Sequence, residues 1–244
     1  MHVTDQELAH RRSIGLDRWD EMWEGVLHMT PAPSLEHQRI LGRLVAFLEP
    51  RLAVRGESVA SHRDGRGASR ARRDDREYRE YLREEQRSPR GCIARRMQPD
   101  FHHGLRRSTA RGTLLPGINV FRAAADYRIP DLTFVAAGRE HVLSEEGVRE
   151  GGPDAVIEIR SPEDETYEKL PFYAALGTRE VVVVDRDTKR PEIYRLAGSQ
   201  LVTLQPEADG WLRAETMSVR FRVAEGRLAL QIEDGIDAAA VVEI

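Results

Sequence analysis

One cysteine, Cys92, occurs in 244 residues, so no internal disulfide can form and a zinc centre built from several thiolates is excluded. Nor is there an apolar run near the roughly 18 residues that a membrane-spanning helix needs. The N-terminus carries charges where a secretory signal would carry its apolar segment, and a cytoplasmic protein with no membrane attachment is expected. No glycine-rich phosphate loop of either common spacing follows a strand, which argues against nucleotide binding of that kind. Internal repeats with a period of about 20 to 50 residues are missing too.

What is present is a charged chain, 32% Asp, Glu, Lys and Arg with 40% hydrophobic residues, long enough for one sizeable core. Its net charge of −4 conceals an asymmetry: between Ser61 and Gly112 fifteen Arg stand against eight Asp and Glu, making that segment +7 and the remainder −11. A basic segment on an acidic body can hold nucleic acid. The same composition, poor in branched apolar residues, also describes a solvated insert without a fold, and this plainer reading is preferred. The chain therefore divides into an N-terminal part, 1–60, an arginine-rich insert, 61–113, expected to be disordered, and a core with C-terminal strands, 114–244.

Apolar periodicity supplies the elements. A short amphipathic helix is expected from Thr4 to Trp19, and a turn entering a strand around Trp23 to Met29. Ser34 is a suitable N-cap for a helix whose stripe runs through Ile40, Leu41, Leu44, Val45, Phe47 and Leu48 and ends near Val54. Strands are expected at Ile118 to Phe121, Tyr127 to Val135 and Ala155 to Ile159, then a helix from Asp164 to Leu176 closed by Gly177. Val181 to Val184 is apolar on both faces and belongs inside a sheet. Four short segments, 192–196, 200–204, 212–215 and 220–223, suggest an antiparallel meander. The fold class is α/β of the α+β kind, a mixed sheet flanked by helices with that meander at its C-terminal end, and not a doubly wound sheet.

Two acids on these strands need a chemical account. Glu158 and Arg160 project to the same side of an otherwise apolar strand, which admits an ion pair, a solvent-facing edge or a site. Asp131 follows Pro130, which cannot donate to a ladder and marks an irregular position where a side chain can turn toward a ligand. If the two strands are neighbours, Asp131 and Glu158 can supply oxygen ligands to Mg²⁺, and phosphodiester hydrolysis needs such a metal together with a nearby cation. Arg160 can stabilise charge but cannot accept a proton; Lys169 can do either if its surroundings lower its pKa. Tyr173, one helical turn beyond Lys169, either packs or orients the lysine or the phosphate, and packing is preferred. Pro171 between them implies a helix that kinks or starts late.

At these residues the sequence resembles the PD-(D/E)XK nuclease superfamily and, within it, the Uma-type restriction endonucleases. The resemblance spans residues 18 to 56 and 114 to 235, through Trp23-Glu24-Gly25-Val26, Met29-Thr30-Pro31-Ala32-Pro33-Ser34, His37, Asp126 to Leu132, Val156 to Pro162, Lys169 to Ala174 and Gly177 to Asp185. It implies a restriction-endonuclease-like fold, DNA as substrate, Mg²⁺ or Mn²⁺ held by Asp131 and Glu158, and a catalytic lysine moved from the strand to the helix, which Lys169 matches. It also implies an acid before the Gly25 turn, with Glu21 the better match and Glu24 the second; His37 matches a recurrent helix position where a histidine is more often structural than catalytic, and Arg160 and Tyr173 are counted with it and Glu24 as supporting candidates. Arg160 stands where the superfamily has its strand lysine. The resulting expectation is a metal-dependent DNA endonuclease, with a homodimer left open. Two alternatives stand beside it: a catalytically inactive nucleic-acid-binding module on the same fold, and an accessory protein binding neither metal nor DNA.

Overall fold

The computed structural model describes residues 5–15, 17–52, 112–233 and 241–244. Helix α1 (Asp5–Ser13) and a 3-10 turn (Asp17–Trp19) lead into a hairpin of β1 (Glu21–Trp23) and β2 (Val26–His28), followed by the long helix α2 (Leu35–Leu52). After position 111 come β3 (Gly112–Pro116), β4 (Val120–Ala123), β5 (Asp126–Arg128), β6 (Leu132–Ala136), β7 (Leu143–Ser144), β8 (Gly147–Val148) and β9 (Ala155–Arg160). A second 3-10 turn (Tyr167–Lys169) runs into α3 (Leu170–Ala175), and the rest is β10 (Glu180–Asp185), β11 (Pro191–Ala197), β12 (Gln200–Thr203), β13 (Leu212–Ala214), β14 (Val219–Ala224), β15 (Arg227–Ile232) and β16 (Val241–Glu243).

The strands form a central sheet in the order β12-β11-β10-β9-β6-β3, a smaller one in the order β2-β1-β5-β4-β8-β7, and a C-terminal antiparallel sheet β13-β14-β15-β16. In the central sheet β9 and β10 are parallel and every other pair is antiparallel, which makes it mixed. The all-apolar run Val181 to Val184 is buried in its interior, because both faces of that sheet are covered. Ile157, Ile159, Val182 and Val184 pack on one face with Ile40, Leu44 and Leu48 of α2 and with Phe221 and Leu230 of the C-terminal sheet. Val156, Val181 and Val183 pack on the other with Phe172 and Tyr173 of α3. Glu158 shares the phase of Val156, so alternation sends its carboxylate toward α3.

Several expected boundaries move. The first helix stops at Ser13, not Trp19: Gly15 takes a left-handed φ of 71° and Ile14 is 54% exposed. Ser34 does cap α2, its hydroxyl accepting from the His37 amide at 3.2 Å, while the expected end near Val54 lies outside the described residues. The expected strand from Tyr127 to Val135 is two strands, interrupted at Ile129-Pro130-Asp131 where the proline has no N–H for the ladder. The helix expected from Asp164 starts late, as Pro171 suggested, with that proline in the first turn of α3 where its missing N–H is harmless. Strand β3 opens at Gly112, ahead of the boundary expected at 114, and the remainder of the 61–113 insert lies outside the described residues. The C-terminal meander is shared between two sheets, since β11 and β12 extend the central one and β13 to β16 close another. Among the described residues no helix is long and apolar enough to cross a membrane.

Candidate active site

The antiparallel register of β6 on β9 pairs Leu132 with Ile157, and continuing it by one residue sets Asp131 opposite Glu158. At Asp131 the chain has left the ladder, and the carboxylate substitutes for it: Asp131 Oδ2 accepts the Ile159 amide at 2.6 Å. Pro130 and the break it imposes thus turn a metal-ligand type of side chain back across the end of β9.

Glu158 is buried, and its Oε1 accepts the Tyr173 hydroxyl at 2.6 Å. Tyr173, for which packing alone was preferred, therefore both fills the core and orients a carboxylate. Lys169 Nζ lies 3.6 Å from the same Glu158 oxygen and 2.8 Å from Glu21 Oε1. Burial, reinforced by the nearby Asp131 and Glu21 carboxylates, pushes the Glu158 carboxyl up to about 7 against the opposing pull of Lys169. For Lys169, burial would lower the ammonium pKa, but Glu158 and Glu21 outweigh it and the group ends above its ordinary value. This corrects the expectation that Lys169 could serve as a base through a lowered pKa: between two acids it is a fixed cation. Burial, then Glu158, pushes the Tyr173 phenol well up, so it remains a donor.

Glu21 reaches this cluster from the first strand of the hairpin. Its Oε1 also accepts the Ile129 amide at 2.9 Å, and its Oε2 accepts the Trp23 indole N–H at 2.8 Å. Of the two acids flanking the Gly25 turn, Glu21 lines the cleft; Glu24 sits in the turn itself at φ 50°, exposed and paired with Arg122 at 2.8 Å. His37, at the capped start of α2, places Nε2 3.2 Å from Asp131 Oδ1. Burial would lower its pKa, but the bond and charge of Asp131 raise it. Arg160 is not brought to the cluster. It ends β9 beside its register partner Asp185, 3.0 Å away on β10, and lies over the Tyr167 ring. Sequence reasoning missed Trp23 as a partner of Glu21, although the i, i+2 spacing on one strand face was a usable signal.

Glu21, His37, Asp131, Glu158 and Lys169 line one cleft of about 820 Å³. The donors suit a hard divalent cation: two opposed carboxylates face the cleft, one of them held up near 7 by burial with the Asp131 and Glu21 charges adding to it, and a cation would favour its ionised form. Among the described residues no group of three or more His, Cys, Asp and Glu side chains forms a metal cage, so such an ion would take two carboxylates and fill its shell with other oxygens, as Mg²⁺ prefers.

A mixed sheet with helices on its faces, and with acids and one lysine closing over the ends of adjacent strands, defines a restriction-endonuclease-like protein. The family described as "Uma2: Putative restriction endonuclease" matches residues 93–228, more than half of the chain, and the chain belongs to that family. The match begins inside the segment expected as an insert; it contains Asp131, Glu158, Lys169 and Tyr173, whereas Glu21 and His37 precede it. Among solved structures the chain is similar to the crystal structure of "a putative nuclease belonging to DUF820" from Anabaena variabilis, at 14% identity and a TM-score of 0.46, over 81% of this chain and 82% of that one. No curated protein matches.

Proposed function

We propose that the protein is a Mg²⁺- or Mn²⁺-dependent DNA endonuclease acting in the cytoplasm, with Asp131 and Glu158 as metal ligands and Lys169 as the catalytic cation. The observation that carries this reading is the convergence of Glu21, Asp131, Glu158 and Lys169, from four separate stretches of chain, on one cleft. When bound, the metal would polarise a phosphoryl oxygen and lower the pKa of a water. The chain's own residues do the rest. The Lys169 ammonium stabilises charge that builds on the phosphoryl group, Glu21 fixes that ammonium, Tyr173 and His37 hold the two ligand carboxylates in place, and the buried walls exclude bulk water. Against the pull of burial, Glu158 and Glu21 hold the Lys169 ammonium above its ordinary pKa in the metal-free chain, which favours the part of a cation over that of a base.

The test is cleavage of supercoiled plasmid by purified protein, with Mg²⁺ or Mn²⁺ against EDTA, and wild type against Asp131→Ala. Metal-dependent nicking or linearisation that disappears in the variant is expected; cleavage that persists in Asp131→Ala would belong to a contaminant and sink the reading. One observation favours a second reading, a nucleic-acid-binding module without turnover: the strand position where the superfamily has a lysine is Arg160, engaged with Asp185. That module would bind DNA with strong salt dependence and leave it intact in every metal.

A further inference from the structure

The proposed chemistry leaves two contacts of Glu21 unused, the Ile129 amide and the indole N–H of Trp23, and the second is made by a side chain. We propose that Trp23 is a positioning residue: its N–H fixes one oxygen of the Glu21 carboxylate so that the other oxygen holds the Lys169 ammonium off Glu158. The catalytic consequence rests on the endonuclease reading; the linkage itself rests on geometry alone.

Both oxygens of this buried acid are committed. Oε2 accepts from Trp23 Nε1 at 2.8 Å, and Oε1 accepts from the Ile129 amide at 2.9 Å and from Lys169 at 2.8 Å. A glutamate's terminal torsion is broad, so a carboxylate anchored at one oxygen can swing; donors at both oxygens fix its plane. The donor is itself immobilised. Glu21 and Trp23 share a strand face, His28 lies directly across from Glu21, and the His28 ring stacks on Trp23 with centroids 4.0 Å apart and an interplanar angle of 12°. The Arg128 guanidinium lies 4.2 Å from the Trp23 ring and 4.2 Å from that of Phe172. His28 Nδ1 is bonded to Glu165 at 2.8 Å, which ties the hairpin to the loop joining Glu158 to Lys169.

Stacking alone would be served by any flat ring at this position. An N–H aimed at a buried carboxylate is a charge-assisted bond that only the indole makes here. Its effect follows from the two distances at Lys169, 2.8 Å to Glu21 against 3.6 Å to Glu158. With Glu21 fixed, the ammonium is drawn to it and Glu158 keeps an oxygen for the cleft. With Glu21 free to swing, Coulomb attraction collapses Lys169 onto Glu158 and neutralises a ligand.

The chain contains only two lysines, Lys169 and Lys189, so protein labelled with ¹³Cε-lysine shows two resonances, assigned with Lys189→Arg. Trp23→Phe retains a stacking ring and removes the N–H. In this variant the Lys169 resonance is expected to move as it does in Glu21→Gln, with that of Lys189 unchanged. Cleavage kcat is expected to fall about 10- to 100-fold, the size of a lost charge-assisted hydrogen bond, while the DNA Kd stays within about twofold. An unchanged Lys169 resonance in folded Trp23→Phe overturns the proposal whatever happens to cleavage. A moved resonance in a protein that never cuts DNA overturns the endonuclease reading and upholds the linkage. Should Trp23→Phe fail to fold, benzothienylalanine at position 23, with sulfur in place of the N–H and the ring shape kept, gives the same readout.

Discussion

Glu158 sits where burial and charge oppose each other, and the balance is visible in pH. Its carboxyl is raised from 4.5 to about 7, so between those values the folded chain holds a proton that the unfolded chain releases. Stability of the metal-free protein must therefore fall as pH rises through this window, by up to about 3 kcal/mol, and Glu158→Gln should flatten the curve in urea melts run in EDTA. The raised Lys169 pKa has the opposite sign: its contribution is fully present at neutral pH and is lost only in alkali. A divalent cation held as proposed would compete with the Glu158 proton, and metal affinity by calorimetry should then weaken about tenfold per pH unit below 7. Tyr173→Phe removes the 2.6 Å donor and should cost about 1 to 3 kcal/mol while moving the Glu158 titration further up. Asp131 has two separable duties, charge and ladder. Asp131→Asn keeps an acceptor for the Ile159 amide and should stay near wild-type stability without cleavage, whereas Asp131→Ala should lose about 1 kcal/mol more.

At the level of elements, each feature of the cleft is set by a local interruption. Pro130 splits one strand into β5 and β6 and exposes Asp131 at the gap. The two-residue turn Glu24-Gly25, with φ of 50° and 86°, gives the tight hairpin that brings Glu21 opposite His28. Ser34 fixes the first turn of α2, where His37 meets Asp131; Ser34→Ala should lower stability by about 1 kcal/mol in urea melts and loosen the His37 ring. The sequence showed Asp131 and Glu158 because their signals are local: a proline before one acid, an apolar strand around the other. It also showed the late start of α3 through Pro171. It did not show that Lys169 stays protonated or that Trp23 holds Glu21, because those facts depend on partners 148 positions away for the lysine and on an environment that no single stretch contains. Arg160 misled for a different reason. Alternation does put it in phase with Glu158, but at the end of β9 a long side chain can turn to its register partner Asp185.

Across the whole molecule, the central and C-terminal sheets are joined through one buried acid. Glu180 on β10, 1% exposed, accepts from Arg195 at 2.8 and 3.0 Å and from the Glu215 and Thr216 amides at 3.1 and 2.7 Å. Glu180→Ala leaves the Glu215 and Thr216 amides without their acceptor, while the Arg195 guanidinium keeps Glu215 and the Arg213 carbonyl, and urea melts should show a loss of about 2 to 3 kcal/mol. The pairing of Glu21 with Lys169 has a consequence in time. A growing chain contains Glu21, His37 and Asp131 before it contains Glu158, and Lys169 follows later still. Until Glu158 has emerged the cleft lacks its second carboxylate, and until Lys169 has docked against an acid made 148 positions earlier it lacks its ammonium. On the endonuclease reading, a chain made in this order has no complete site before position 169, and a product that stops short of Lys169 should leave DNA uncut.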